Sequence, residues 1–169
     1  MKSSRVYDGR IINVRVDEVQ INGRQTIREI VEHGGSAAIL PLIGNTIIME
    51  KQYRHAIGKE LYEIPAGTLE DGESPEDCAK RELIEETGYR AGKMERLGQC
   101  YMTPGYCTEL IHFFVATDLE EVSHEMDADE QLIVVKMTID EAVKKILDGE
   151  IVDAKTVCAV LTYLARSKV

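Results

Sequence analysis

The chain has 169 residues, 44% of them hydrophobic and 30% charged, which is typical of a globular protein with one core and a small appendage. Its formal net charge of −10 argues against broad nucleic-acid binding, because such binding depends on cationic side chains. We expect neither a signal peptide nor a membrane partner, since the chain shows no apolar run of the required length. Four scattered cysteines without a CxxC pair favour a cytoplasmic location.

The first 34 residues predict a small antiparallel β subdomain. Residues 5–31 are predicted to form strands, apolar and polar side chains alternate in part over residues 11–19, and the step Asn22-Gly23 is a strong hairpin signal. Two glycines in the segment 33–36 then indicate a short linker. We therefore expect residues 1–34 to form an appendage and residues 35–169 to form the main domain.

Beyond residue 35 the pattern predicts strands and helices in mixed order. The predicted strands cover residues 37–42, 45–52, 61–64, 93–101, 109–117 and 132–137. An acid-rich loop is predicted over residues 119–131, and two helices are predicted over 139–147 and 153–165. This order indicates a mixed α/β fold.

One more helix, over residues 75–87, is predicted from the signals at its two ends. Ser74 is a favourable N-cap, Pro75 suits the first helical position, and Asp77 stands where the acid of a capping box belongs. Gly88 is a natural terminator, because glycine readily adopts the left-handed backbone that ends many helices.

This predicted helix carries three carboxylates, Glu82, Glu85 and Glu86, within five residues. At about 100° per residue they share one side, and Leu83 points to roughly the opposite side, which we expect to be the core face. Like charges three or four residues apart on a helix repel each other. Two interpretations follow: a solvated acidic surface in which Arg81 pairs with Glu85, or a site that holds a cation.

The residues around this helix form a longer pattern, GTLEDGESPEDCAKRELIEETGY, over positions 67–89. It matches Gly-x5-Glu-x7-Arg-Glu-U-x-Glu-Glu-x-Gly-U at every fixed position, where U is a bulky apolar residue and Tyr89 is the last of them. The chain therefore resembles the Nudix hydrolases. The resemblance implies an α/β/α sandwich with a mixed sheet, and hydrolysis of nucleoside diphosphates linked to another group.

The resemblance also implies a bound Mg²⁺, and the sequence leaves open whether Mn²⁺ can replace it. Glu82 and Glu86 match the principal metal ligands, and Glu85 matches a further ligand or a water-activating group. The carbonyl of Ala66 matches a backbone ligand. These are the hard oxygen ligands that Mg²⁺ prefers.

Other positions of the motif match residues that shape the site. Arg81, which we count among the catalytic residues, and Glu73 match a pair that orients the catalytic helix. Gly67 and Gly88 match backbone positions at the turn before the helix and at its end.

Segments outside the motif resemble one subgroup of the family, the ADP-ribose pyrophosphatases. These segments are QYR at residues 52–54, ELYEIPAG at 60–67 and MTPGYCTE at 102–109. Pro104 lies 16 residues after Gly88, an offset that fits the same subgroup.

The subgroup resemblance implies further substrate-binding residues. Arg54 would contact the diphosphate, an electrostatically sensible role for a guanidinium. Glu63 and Glu109 would lie near the metals or the terminal ribose. Pro104 and Gly105 would belong to a substrate-binding loop, although a Pro-Gly step by itself also fits an ordinary turn.

The acid-rich loop over residues 119–131 has two interpretations as well. Most such loops are solvated and carry no specific role. In the subgroup, a glutamate from this region serves as a base or a metal ligand, and Glu130 is the best positional match. Some relatives have another glutamate two residues earlier, where this chain has Ala128, so the identity of the base stays open.

The resulting hypothesis is Mg²⁺-dependent hydrolysis of ADP-ribose to AMP and ribose 5-phosphate. The alternatives are a pyrophosphatase for another nucleoside diphosphate sugar and a module that senses ADP-ribose without cleaving it. The intact set of Glu82, Glu85 and Glu86 argues against a sensor. The resemblance also implies a homodimer in which the N-terminal segment is exchanged; the alternative is a monomer whose sheet these strands extend.

Overall fold

The computed structural model describes residues 2–122 and 132–167. In chain order, the strands of this described part are β1 Lys2–Asp8, β2 Asn13–Ile21, β3 Arg24–Glu32, β4 Ser36–Ile43, β5 Thr46–Arg54, β6 Lys59–Glu63, β7 Ala66–Thr68, β8 Tyr89–Tyr101, β9 Leu110–Glu121 and β10 Leu132–Thr138. The helices are α1 Pro75–Thr87, α2 Ile139–Leu147 and α3 Ala154–Arg166. Within these described ranges, no helix is both long enough and apolar enough to cross a membrane.

The N-terminal strands form a separate antiparallel sheet in the order β1-β2-β3. Asn22 and Gly23 both have positive φ angles, 52° and 76°, which are the backbone angles of the predicted tight hairpin. This sheet meets the rest of the protein through Val31, whose N–H donates to the Tyr106 carbonyl at 2.7 Å and whose carbonyl accepts from the Thr108 N–H at 3.0 Å. The predicted small antiparallel β unit is therefore confirmed.

The larger sheet has the order β10-β5-β4-β9-β8, with β6 paired to β5 and β7 paired to β4. Strands β4 and β9 run parallel, whereas the other pairs run antiparallel, so the sheet is mixed as predicted. Strand β7 lies beside β4 and leads towards α1, so this sheet positions the segment that precedes the acidic helix.

Helices cover both faces of the larger sheet. Successive side chains of a strand point to opposite faces. Accordingly, Ala38 and Leu40 of β4 pack in a core with residues of α2 and α3. Ala37 and Ile39 pack in a second core with residues of α1. The predicted α/β/α sandwich is therefore confirmed.

The loop predicted over residues 119–131 begins later than expected. Strand β9 continues to Glu121, and its residues 119–121 pair with residues 89–91 of β8, which starts directly after α1. The ladder extends because β8 supplies backbone partners that local composition does not reveal. Residues 123–131 lie outside the described part of the chain.

Candidate active site

Helix α1 begins and ends where the sequence predicted. The Ser74 side chain accepts a hydrogen bond from the Asp77 N–H at 3.1 Å, and Pro75 occupies the first turn. Gly88 has a φ of 71°, and its N–H donates to the Ile84 carbonyl at 2.9 Å. Both ends are therefore capped by local interactions.

The acidic side of α1 is not turned away from the core as expected. Glu86 is only 5% exposed, and the small neighbours Cys78 and Ala79 are fully buried. The reason is that α1 packs against β7 as well as against the longer strands of the same sheet, so its buried surface is wider than one apolar stripe. Glu82 is partly buried, while the side chain of Glu85 is half exposed at the rim.

Arg81 donates hydrogen bonds to three carboxylates, one before this helix and two on it. Its Nε and Nη2 donate to Glu73 Oε1 and Oε2 at 2.9 and 3.0 Å. Its Nη1 donates to Glu82 at 2.6 Å and to Glu85 at 3.0 Å. Hydrogen bonding by Arg81 lowers the pKa of Glu73 to about 2, so Glu73 is ionised at neutral pH. The pairing of Arg81 with Glu73 places these residues as the motif predicts, while their catalytic role stays a prediction.

The strand before the helix approaches these carboxylates very closely. A Cβ added to Gly67 would lie 1.8 Å from Glu82 Oε1, so any larger residue at this position would displace the Glu82 carboxylate. The N–H of the adjacent Ala66 donates to Glu86 Oε2 at 2.8 Å. Ala66, Gly67, Glu82 and Glu86 are therefore brought together by the contact between β7 and α1.

The donor set of this region suits a hard divalent cation. Glu82, Glu85 and Glu86 present carboxylate oxygens from one helix, which are the ligands that Mg²⁺ prefers. Among residues 2–122 and 132–167, no three acidic, histidine or cysteine side chains are arranged so that they could already bind one metal ion together. Arg81 donates to both Glu82 and Glu85, so these carboxylates are directed towards a guanidinium. The ligand assignments stay predictions, and the chemistry of the residues fits them.

A second arginine–glutamate cluster joins the ends of β5 and β6. Arg54 Nε and Nη2 donate to Glu63 Oε1 and Oε2 at 2.8 and 2.7 Å. Glu63 is 1% exposed, and burial by itself raises the pKa of its carboxyl. Hydrogen bonding by Arg54 and the charge of Lys155 lower this pKa by more than burial raises it, so the pKa lies below its usual value. The hydrogen bond to Glu63 raises the pKa of Arg54. Both groups are therefore charged.

Two acidic or basic side chains near this cluster were missed in the sequence. Lys155 of α3 pairs with Glu63 and, at 3.2 Å, with Asp153. Glu50 of β5 is fully buried, lies opposite Glu63 in the β5–β6 ladder, and adds to the field that raises the Arg54 pKa. The alternation of β5 could have indicated an inward Glu50, whereas no local signal marks Lys155.

A cleft of about 460 Å³ connects this cluster to the segment before α1. Its polar and backbone lining includes Ser36, Arg54, Glu63, Ala66, Gly67, Glu109, Asp153 and Lys155. From the loop after β8, Met102 and Thr103 line the cleft, while Pro104 and Gly105 are exposed beside them and do not. The substrate-binding roles of Pro104 and Gly105 stay predictions.

Glu109 reaches the cleft from the start of β9. The Ser36 hydroxyl donates to Glu109 Oε1 at 3.0 Å, and His33 Nδ1 lies 3.9 Å from the same oxygen. His33 belongs to the connection between β3 and β4, and Ser36 is the first residue of β4, so this part of the chain holds the Glu109 carboxylate in place. Glu130, the predicted base, lies outside the described residues.

The buried cysteine of α1 has no reactive character. Burial raises the pKa of the Cys78 thiol to about 12, with the charges of Glu82 and Glu73 adding to the effect. A thiol with this pKa stays protonated at neutral pH and is a poor nucleophile. The chemistry of the site therefore falls to the carboxylates and the two arginines.

Comparisons with known proteins agree with this arrangement. A family model described as the NUDIX domain matches residues 32–160. The chain is 42% identical to the methanol dehydrogenase activator of Bacillus methanolicus, over 95% of this chain and 89% of that protein. It is 41% identical to the ADP-ribose pyrophosphatase of Bacillus subtilis (strain 168), over 92% and 86% of the two chains.

Among solved structures, the fold resembles a crystal structure of an ADP compounds hydrolase with a TM-score of 0.88. The match covers 99% of this chain and 92% of the other, at 24% sequence identity. The two proteins therefore share the sandwich fold. The family model spans β7, α1 and the Arg54–Glu63 cluster and covers most of the chain, so the chain belongs to the NUDIX family, whose hydrolases generally use a divalent metal.

Proposed function

We propose that this protein hydrolyses the diphosphate of ADP-ribose to AMP and ribose 5-phosphate, with Mg²⁺ as its metal. The observation that carries the proposal is the cleft that joins Arg54 and Glu63 to Ala66 and Gly67 beside the acidic helix. A diphosphate needs a cationic contact and a nearby metal site; Arg54 supplies the first, and the neighbouring carboxylates of α1 are the proposed second. The name of the Bacillus subtilis relative supports ADP-ribose as the substrate.

The residues of the cleft divide the work between binding and bond cleavage. Arg54 binds the diphosphate, because its guanidinium lines the cleft while Glu63 holds one edge of it. Glu109, held by Ser36, faces the same space and suits a hydroxyl of the terminal ribose. These groups orient the substrate so that its diphosphate lies beside Ala66 and Gly67.

The acidic helix supplies the groups for bond cleavage. Glu82, Glu85 and Glu86 with the carbonyl of Ala66 hold Mg²⁺, which supplies charge stabilisation and an activated water when bound. Glu86 keeps its orientation through the N–H of Ala66. Arg81 orients Glu82 and Glu85 from the other side. Glu85 or Glu130 accepts the proton of the attacking water.

The test is incubation with ADP-ribose, with and without Mg²⁺, followed by chromatography of the products. We expect AMP and ribose 5-phosphate in the presence of metal and neither product after chelation. Binding without cleavage would instead support a sensing module. Absence of both would exclude ADP-ribose, and a survey of other nucleoside diphosphate sugars in the same assay would then identify the substrate.

The structure also supports a proposal about assembly, namely that the N-terminal sheet of residues 1–34 packs against a second copy of the chain. Four of its apolar side chains, Val6, Tyr7, Ile11 and Ile27, are more than half exposed. Exposed apolar surface of this kind marks interaction sites. Light scattering on the full chain should give the mass of a homodimer, and Ile27→Glu should shift it towards the monomer. A monomeric wild-type protein would exclude the proposal.

A further inference from the structure

Lys155 occupies an unfavourable position for a lysine. It is the second residue of α3, two positions after the N-cap residue Asp153, and is only 8% exposed. The N-terminus of a helix carries partial positive charge, which repels a cation. Lysine is also rarely buried unless its charge is paired. A position with both disadvantages calls for compensation by nearby carboxylates.

Two carboxylates provide this compensation. Lys155 Nζ pairs with Glu63 Oε2 and lies 3.2 Å from Asp153 Oδ2. The same Asp153 oxygen accepts from the Thr156 N–H at 2.9 Å and from its hydroxyl at 2.6 Å. Thr156 Oγ1 in turn accepts from the Ile64 N–H at 2.9 Å. The start of α3 is therefore fastened to the backbone immediately after Glu63.

Glu63 is consequently held between two cations. Its Oε2 accepts from both Arg54 and Lys155, and its Oε1 accepts from Arg54. A diphosphate that enters the cleft would compete with Glu63 for the guanidinium of Arg54. A buried carboxylate that loses its partner is strongly unfavourable. Lys155 removes that difficulty, because it keeps the charge of Glu63 compensated.

We propose that Lys155 is a positioning residue, which fixes the buried Glu63 carboxylate so that Arg54 is presented to the diphosphate of the substrate. Lys155 acts through Glu63 and Arg54, since its ammonium group is directed to two carboxylates and its side chain is 10% exposed. The inference rests on the proposed function of the cleft, in which Arg54 binds the diphosphate.

The test is a double-mutant cycle made of the wild type, Lys155→Met, Arg54→Met and the variant with both changes. Binding of inorganic diphosphate is measured by calorimetry, so that no turnover is needed. Hydrolysis of ADP-ribose is followed separately, which distinguishes a wrong substrate from a wrong role for Lys155. Lys144→Met is the matched control, because Lys144 is an exposed lysine of α2 that pairs with Asp148.

We expect Lys155→Met to weaken diphosphate binding about tenfold, and Arg54→Met to weaken it at least as much. The double variant should bind no more weakly than Arg54→Met, because Lys155 acts through that arginine. In hydrolysis, Lys155→Met should raise KM more than it lowers kcat. Lys144→Met should leave both measurements unchanged.

Three results would overturn the inference. One is diphosphate binding by Lys155→Met equal to that of the wild type. The second is a double variant whose loss of diphosphate affinity equals the product of the losses of the two single variants, which would mean that Lys155 contacts the diphosphate itself. The third is absence of diphosphate binding by the wild type. Thermal unfolding of each variant distinguishes misfolding from these results. If Lys155→Met is unstable, Lys155→Arg replaces it in the test, and because this variant keeps the charge it should recover part of the lost diphosphate binding.

Discussion

Two arginine–glutamate pairs, one of α1 and one of strands β5 and β6, have nearly the same local geometry. Arg81 donates hydrogen bonds to Glu73 from Nε and Nη2 at 2.9 and 3.0 Å. Arg54 donates to Glu63 from the same two atoms at 2.8 and 2.7 Å. Bidentate pairs of this kind fix the plane of both groups. The two pairs differ in their surroundings, and that difference separates their functions.

The Arg81 pair is local and partly solvated. Glu73 and Arg81 are eight residues apart, and Arg81 also donates to Glu82 and Glu85, the predicted metal ligands. In the Arg54 pair, Glu63 is buried while the side chain of Arg54 is 40% exposed, and Glu63 also pairs with Lys155, which is 92 residues away. In the proposed function, the first pair organises the carboxylates of the helix, while the second presents a cation to the diphosphate.

The largest effect is expected from Glu86→Gln, at the junction of the two regions. Loss of a metal ligand removes several kcal/mol of transition-state stabilisation, so kcat should fall by about 10² to 10³-fold. The fold should survive, because the glutamine oxygen can still accept from the Ala66 N–H. Steady-state kinetics at varied Mg²⁺ would measure the loss. The matched control is Glu76→Gln on the exposed first turn of α1, which should stay as active as the wild type.

Arginine-to-lysine changes should separate the two pairs by their kinetic signatures. Lysine cannot reproduce a bidentate pair, so each change should cost about tenfold in kcat/KM. Arg81→Lys should act mainly on kcat, because Arg81 orients the helix carboxylates. Arg54→Lys should act mainly on KM, because Arg54 contacts the substrate. Equal effects on kcat and KM in both variants would contradict the proposed separation of roles between the two arginines. The control is Arg90→Lys on the exposed surface of β8, which should keep wild-type kinetics.

A smaller effect, on the Arg81 side, is expected from Gly67→Ala. The added Cβ would collide with the Glu82 carboxylate, which lies at the end of a flexible side chain and would turn aside. We expect a Tm close to that of the wild type, but an apparent Mg²⁺ affinity weakened about tenfold because a proposed ligand is displaced, measured by thermal unfolding and by metal titration of the activity. Gly98→Ala, where the added Cβ meets nothing within 4 Å, should change neither. A wild-type metal titration for Gly67→Ala would contradict the close approach.

The smallest effect concerns stability in acid. The pKa of Glu73 is about 2 in the folded protein and 4.5 ordinarily, so its stabilising contribution is present above pH 4.5 and is lost as pH falls towards 2. Glu73→Gln lacks this titration. Its Tm should therefore change less than that of the wild type between pH 4.5 and pH 2. Parallel Tm curves for the two proteins would show that the Arg81 pair does not stabilise the fold.

Much of the fold was predictable because its signals are local. The bounds of α1 follow from Ser74, Pro75 and Gly88, and the N-terminal hairpin follows from Asn22-Gly23. Two predictions were wrong for the opposite reason. The extension of β9 to Glu121 depends on pairing with β8, and the burial of Glu86 depends on β7, so neither is visible in a window of neighbouring residues.

The sequence by itself determined the family and the chemical character of the site, because the motif from Gly67 to Tyr89 places its acids, arginine and glycines at spacings that one helix and one turn convert directly into geometry. Only the tertiary structure decided which groups meet across the cleft. It brought Lys155 to Glu63, and Ser36 to Glu109 over 73 positions. The physical reason is that helix ends and turns are set by neighbouring residues, whereas buried charge pairs are set by packing between distant segments.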